Sequence, residues 1–429
     1  MIEPARALYT ALGSAALPLL PLRLWWRGRH EPGYRRHIGE RFGFYRGSVT
    51  GVVYWIHAVS VGETRAATPL VQRLRIAYPG ATLLLTHMTA TGREAGQILF
   101  GDQVRQAWLP YDAPFAVRRF FAHFRPAAGF ILETELWPNL VAGAQASGTP
   151  LFLVNARLSE RSAGGYRRFA CLARPMLGRL SGVAAQSPAD AARLAELGAP
   201  EPVVTGNLKF DVTIPPALLE LGAGLRIRLG ASRPVWLAAS TRDGEEALIL
   251  DALARHPLPG TLLVLVPRHP QRFATVAEML SARGLPFVRR SAGGAAVPGD
   301  VAVVLGDSMG ELAAYYAAAD IAFVGGSLLP FGAHNLIEPL AVGTPVLVGP
   351  HSFNFAEATA GAIETGAALR VSDADALVAA VDELFADPAR RQAMGLAARA
   401  FHAQHQGASD RLWEWLEPQL AARAASARA

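Results

Sequence analysis

Short, nearly unbroken apolar runs alternate with helical patterns along most of the chain, and the alternation is played through twice. In the first half, β-rich runs fall at 52–58, 81–88, 105–109, 127–133, 151–157, 182–187 and 202–207. In the second they fall at 235–240, 261–268, 287–290, 301–306, 321–326 and 345–349. A run that is apolar at every position, not at alternate ones, suits a strand buried on both faces of a parallel sheet. Helical spacing fits 64–77, 189–197 (closed by Gly198), 245–255, 272–283, 311–319 and 374–386. The reading is therefore α/β, with two doubly wound, Rossmann-like domains facing each other. A length of 429 residues suits two domains. The expected division is a membrane anchor at 1–30, a first domain at 31–207 and a linker at 208–220 carrying Pro215-Pro216. The second domain takes 221–429, including a terminal helix after about 408. Ligands of such sheets bind beyond the carboxyl ends of the strands, so the residues that follow each strand matter most.

Charge is concentrated at the start. The net charge is +6, and the first fifty residues hold eight arginines against three glutamates. Before most of these arginines lies an uncharged, mostly apolar run, 7–22, interrupted by Pro18 and Pro21 and followed by Trp25-Trp26, Arg27 and Arg29. Paired tryptophans beside cations suit a headgroup layer. A basic flank directly after the run opposes export and holds the body on the cytoplasmic side of an anionic leaflet. A shallow or tilted anchor is preferred over a buried core helix, and a membrane over nucleic acid as the partner of the basic patch. The single cysteine, Cys171, excludes an internal disulfide and reads as a buried small apolar residue. Lys209 is the only lysine, which marks it for a place where a compact point charge is needed.

Six strand ends carry polar residues at dense spacing. Ser60-Val61-Gly62-Glu63 fits a capping box, which makes Glu63 a helix cap. The same carboxylate sits past a strand's carboxyl end, where it can accept a proton; composition does not choose between the two. Glu133 and Glu135 follow the strand at 127–133, and Glu135 is taken for the acceptor side. In the second half, backbone N–H groups at Ser240-Thr241 can face a phosphate, and Pro267-Arg268 ends another strand. Ser308 and Glu311 again fit a capping box, with Gly310 permitting close approach. The loop 325–339, GGSLLPFGAHNLIEP, is the densest: Asn335 can cap a helix, and Glu338, on the same face, can accept from both hydroxyls of a ribose. There is no His-Glu-x-x-His, no cysteine pair and no Asp-x-Asp, so no metal site and no resident cofactor are expected.

Taken in order, YRRHIGERFG (34–43), HAVSVGE (57–63), ETELWPN (133–139), NARLSERS (155–162), GNLKFD (206–211), LVPRHP (265–270), DSMGEL (307–312) and the loop at 325–339 resemble the 3-deoxy-D-manno-octulosonic acid (Kdo) transferases of lipopolysaccharide synthesis. The resemblance implies a GT-B fold, CMP-Kdo as donor, a lipid A precursor as acceptor, and a place on the cytoplasmic face of the inner membrane. It implies that Glu63 is the general base. It also implies that Pro267 and Arg268, Met309, Gly310 and Glu311, and Asn335, Leu336, Ile337 and Glu338 bind CMP, with Lys209 a cation near the phosphate. Arg35, Arg36 and Arg41 would then pair with acceptor phosphates at the bilayer surface. The rival readings are another GT-B protein, such as a sugar-nucleotide epimerase or a transferase of an uncharged sugar, and a nucleotide-binding scaffold without turnover.

Overall fold

A computed structural model of the chain describes residues 3–29, 31–211, 213–293 and 296–426. It separates into two units, one of Met1–Val212 with Gln406–Ala429 and one of Thr213–His405.

The first unit is built on a seven-stranded sheet of β1 (Val53–His57), β2 (Thr82–His87), β3 (Arg105–Trp108), β4 (Ala128–Leu132), β5 (Leu151–Ala156), β6 (Gly182–Ala185) and β7 (Val203–Val204). Its order is β3-β2-β1-β4-β5-β6-β7. The second carries β8 (Val235–Thr241), β9 (Leu262–Pro267), β10 (Phe287–Arg289), β11 (Val303–Leu305), β12 (Ile321–Val324), β13 (Val346–Val348) and β14 (Ala368–Arg370). Here the order is β10-β11-β9-β8-β12-β13-β14. All the strand pairs described are parallel. Strand order therefore reverses between β1 and β4 in one sheet and between β8 and β12 in the other. At such a reversal the flanking helices leave to opposite faces and open a crevice at the strand ends.

The apolar runs explain the layering. Along β1, Trp55 packs with Phe120, Phe121 and Phe124 on one face of the sheet, while Tyr54 and Ile56 enter the core on the other. Each fully buried side chain of this size contributes about 1.5–3 kcal/mol. Gly129 is needed where it stands, because a Cβ there would lie 2.6 Å from the Trp55 ring. The strand β14 escapes the sequence reading because it is a three-residue edge with an exposed Arg370 and no apolar run.

Several boundaries differ from the expected ones. The terminal helix Ala408–Ser426 belongs to the first unit, not to the second domain, because Leu412, Leu416 and Leu420 fill the core beside β1 and β4. Asp211 fastens its start by accepting from the backbone N–H groups of Gly407 (2.7 Å) and Ser409. The expected linker is also structured. Leu208–Asp211 is a 3₁₀ turn with Leu208 and Phe210 buried, and Pro216 opens the helix Pro216–Gly230 in place of stiffening a crossing. Proline suits that position, where its missing N–H has no partner to lose. Cys171 is exposed, not buried.

At the amino end, Pro4–Ala16, a 3₁₀ turn at Leu17–Leu19 and Leu20–Arg27 run on as one helix of 24 residues, with an 18-residue stretch of mean hydropathy 1.3. It is long and apolar enough to cross a membrane. Pro18 and Pro21 are absorbed near the starts of successive helical segments, so they do not end it. Arg41, expected on the surface, is 1% exposed. Its guanidinium lies 3.9 Å from the Trp108 ring centroid and donates to the Met88 carbonyl at 3.3 Å. It is packed as a structural cation, buried where a surface contact with a phosphate is expected; burial pulls its pKa below the usual arginine value.

Candidate active site

Polar strand-end residues gather at both reversal points. In the first unit, β1 leads into the short helix Val61–Ala66, which Ser60 caps while the Glu63 carboxylate reaches back past the cap to Val59. Glu63 Oε2 accepts from the Val59 N–H at 2.8 Å and Oε1 accepts from Ser60 Oγ at 2.8 Å, while the Glu63 N–H donates to Ser60 Oγ at 3.4 Å. Glu63 is 8% exposed. Burial, and next the charge of Glu133, raise its pKa to about 7, against smaller lowering by its hydrogen bonds. Glu135 adds to the rise. Its own pKa is raised too, by burial and then by Glu133. Three carboxylates from the β1 and β4 ends thus share one field.

Lys209 closes this cluster. Its Nζ donates to Glu133 Oε1 at 2.7 Å, so the lone lysine compensates part of the negative charge around Glu63. Asn155 places it: its Oδ1 accepts from the Leu208 N–H at 3.0 Å. Glu133 and Asn155 both hold left-handed backbone, at φ 58° and 52°. That conformation costs a non-glycine residue of order 1 kcal/mol, and such strain concentrates at functional sites. His57 and His87 belong to the core, not to the site. Both are fully buried, and burial holds their pKa values near 3 and 4, so both are neutral. No group of three or more His, Cys, Asp or Glu is placed to hold a metal ion among the described residues.

The second unit repeats the arrangement at β8 and β12. Ser240, at φ 56°, and Thr241 end β8, both buried. Gly325 ends β12 so close to this turn that a Cβ would lie 2.6 Å from the Ser240 carbonyl oxygen. The Arg268 N–H donates to the Thr241 carbonyl at 3.0 Å, which seats Pro267-Arg268 beside the same turn. Arg242, His269 and His334 lie in the same field; burial, then Arg268, lower His334 to about 3, so it is a neutral imidazole. Its Nε2 is buried without a hydrogen-bond partner. The Asn335 Oδ1 accepts from the Ile337 N–H at 3.0 Å, and its Nδ2 donates to Glu338 Oε1 at 3.2 Å. Leu336 and Ile337 point into the core, at 1% and 2% exposed, which leaves only their backbone for a ligand. Met309 is exposed and Gly310 has φ 81°. The Ser308 cap does not form: the hydroxyl donates to Glu311 Oε2 at 2.6 Å, the helix starts at Leu312, and Arg290 pairs with Glu311 at 3.1 Å.

Two buried carboxylates beside the β8 turn escaped the sequence reading. Glu245 and Glu246 look like surface charges at a helix start, yet both are 0% exposed. Glu245 accepts from the N–H groups of Arg242 (2.8 Å), Gly326 (2.6 Å), Ser327 (3.0 Å) and Leu328 (2.9 Å). It ties the loop after β8 to the loop after β12. Glu246 accepts from Thr241 Oγ1 at 3.0 Å and pairs with Arg272 at 3.1 Å. The acidic pair directly behind Gly244 was the only signal, and it does not distinguish buried from exposed.

Known proteins resemble the chain throughout. The sequence profile described as 3-deoxy-D-manno-octulosonic-acid transferase matches residues 36–212, and that of the group 1 glycosyl transferases matches 288–401. A 3-deoxy-D-manno-octulosonic acid transferase of Bordetella pertussis is 46% identical over 97% of this chain and 99% of its own length. Among solved structures, a glycosyltransferase from Rickettsia africae ESF-5 aligns with TM-score 0.58 and 15% identity, covering 86% of this chain and 98% of its own. The UDP-GlcNAc 2-epimerase of Neisseria meningitidis aligns with TM-score 0.56 and 16% identity, covering 86% and 100%. At such identity these structures establish the GT-B fold alone, which a transferase and an epimerase share. The near-full-length sequence match is what separates the two.

Proposed function

The chain belongs to the 3-deoxy-D-manno-octulosonic acid transferase family, and from that membership we propose that it transfers Kdo from CMP-Kdo to a lipid A precursor, with inversion and with Glu63 as general base. The observation that carries the proposal is Glu63 itself: a buried carboxylate at the reversal point of the first sheet, with its pKa raised to about 7. A base works best when its pKa lies near the operating pH. A helix cap alone gains nothing from that value.

In the proposed step, an ionised Glu63 takes the proton of a sugar hydroxyl on the acceptor. The hydroxyl oxygen bonds to the anomeric carbon of Kdo, and the bond from that carbon to the phosphate oxygen breaks. Its electron pair leaves with CMP from the opposite face. On the donor side, the backbone at Ser240-Thr241 and at Met309, Gly310 and Glu311 would take the nucleotide with Pro267 and Arg268, and Glu338 the ribose hydroxyls. Holding both substrates in register lowers the barrier as well. Lys209 supports the base by balancing Glu133. The reaction is proposed to need no metal and to run at the cytoplasmic face of the inner membrane, where Arg35 and Arg36, both exposed, meet acceptor phosphates.

The test is turnover of purified protein with a lipid A precursor and CMP-Kdo generated in situ, with and without EDTA, read by mass spectrometry. Addition of Kdo masses in both conditions is expected. CMP binding without product would remove the donor or acceptor assignment, and loss of product with EDTA would remove metal independence. The pH profile is a second expected result. Because Glu63 must be ionised in the free enzyme, kcat/KM should fall tenfold per unit below about pH 7 and level off above it. In Lys209→Met the acid limb should move to higher pH, since removing a cation disfavours an ionised Glu63; an unmoved limb would disconnect Lys209 from the base.

A further inference from the structure

We infer that the helix Pro4–Arg27 does not cross the bilayer but lies along its surface, held flat against the body of the first unit, with one apolar face sunk into an anionic leaflet. This rests on the membrane reading above and adds its geometry. By length the helix could span: 24 residues reach about 36 Å, against a hydrocarbon core of about 30 Å. Its packing points the other way.

Polar ties fasten one side of the helix to the globular body. Glu3 pairs with Arg179 at 2.7 Å, Thr10 Oγ1 donates to Asn139 Oδ1 at 3.1 Å, and Tyr9 hydrogen-bonds to Asp112. Asp112 in turn accepts from the N–H groups of Asn139 (2.9 Å) and Leu140 (2.7 Å), so it belongs to the fold of the body. At the other end Leu24 is buried with Tyr34, Ala90 and Trp108, and Arg35 donates to the Trp25 carbonyl at 2.8 Å. A spanning helix is wrapped by lipid on all sides. Reaching that state would either break these ties or carry Asp112, Asn139 and Arg179 into hydrocarbon, where charged groups are costly.

The opposite side of the helix faces away from the body and is exposed. Leu8, Leu12, Leu19, Leu22 and Trp26 are 61–66% exposed and recur at the three-, four- and seven-residue spacings of one helical face. Trp25, 52% exposed, flanks them and stacks with Arg29 at 4.3 Å. Around this end Arg23, Arg27, Arg29, Arg35 and Arg36 are all exposed. An apolar stripe bordered by tryptophan and arginine matches the layered chemistry of a bilayer surface, and the excess of cations selects anionic lipid. The ties leave the stripe pointing away from the body, so docking it lays the first unit on the leaflet.

The test places an environment-sensitive fluorophore on Leu12→Cys or Trp26→Cys in full-length protein carrying Cys171→Ser. Binding is read on vesicles of phosphatidylethanolamine doped with phosphatidylglycerol, and depth by lipids quenched at different levels. Both positions should report the same shallow depth, about 5–10 Å below the headgroups. A probe at 12 near the midplane with one at 26 near the surface would show a spanning helix, overturning the inference and keeping the membrane reading. No partition at all, or self-association through the stripe in its place, would remove the membrane reading itself. Leu12→Asp with Leu19→Asp should cut partition at least about tenfold without moving the thermal midpoint, because neither side chain packs in the core; unchanged partition would overturn the docking face.

Discussion

Glutamine at position 63 is expected to lower kcat by about 10²–10⁴-fold and to leave the start of the helix Val61–Ala66 intact. The separation is possible because a capping box accepts glutamate or glutamine alike. The amide can still accept from the Val59 N–H and meet Ser60 Oγ, but it cannot take a proton. Stability adds an independent readout. Burial and Glu133 raise the Glu63 pKa from 4.5 to about 7. A carboxyl raised in the folded state contributes stability that is fully present below about pH 4.5 and is lost as the pH rises through 7. Glutamine does not ionise and escapes that loss. Glu63→Gln should therefore gain on the wild type between pH 5 and pH 8, by an amount of order 3 kcal/mol, read as urea midpoints at the two pH values. Turnover at the wild-type rate would leave Glu63 as a helix cap and send the search for the base to Glu135. A variant that is inactive and also unfolds early would not separate the roles, and for that case Glu63→Asp with its pH profile supplies the distinction: a base at longer reach keeps the acid limb.

The second large effect is expected at Glu245→Ala. Removing this carboxylate leaves four backbone N–H groups, those of Arg242, Gly326, Ser327 and Leu328, without their acceptor. An unsatisfied buried donor costs about 1–3 kcal/mol, so a loss of at least about 3 kcal/mol in unfolding free energy is expected, with some relief if water enters. The functional consequence should be larger than for an ordinary core change. The same side chain sets the distance between the Ser240-Thr241 turn and the loop that presents Asn335 and Glu338. CMP affinity by calorimetry should fall at least tenfold below the unfolding transition, while Glu245→Gln, with one oxygen left, should lie between. Wild-type affinity in Glu245→Ala would show that the donor loops hold their places without the tie.

Much of this protein was legible before any coordinates. Short unbroken apolar runs suit strands buried on both faces, and their alternation with helices leaves a doubly wound parallel sheet as the economical solution. The strand-end motifs at Glu63, Glu135, Arg268 and Asn335 were visible for the same reason: ligands meet such sheets at their carboxyl ends. What a linear pattern cannot carry is which distant segments share a field. Only the folded chain buries Glu63 and brings Glu133 beside it, and so decides that the carboxylate sits near pH 7 and not in the ordinary carboxylate range; the same folding sets Lys209 on Glu133. Burial of charge is equally silent in sequence. Arg41 and Glu245 look like surface residues until aromatic faces and backbone N–H groups close around them. The terminal helix was assigned by its place in the chain, whereas its leucines answer to the first sheet. Periodicity is a local property and was determined by sequence alone; partners, pKa values and the lie of the amphipathic helix depend on contacts across the fold, and only tertiary structure could decide them.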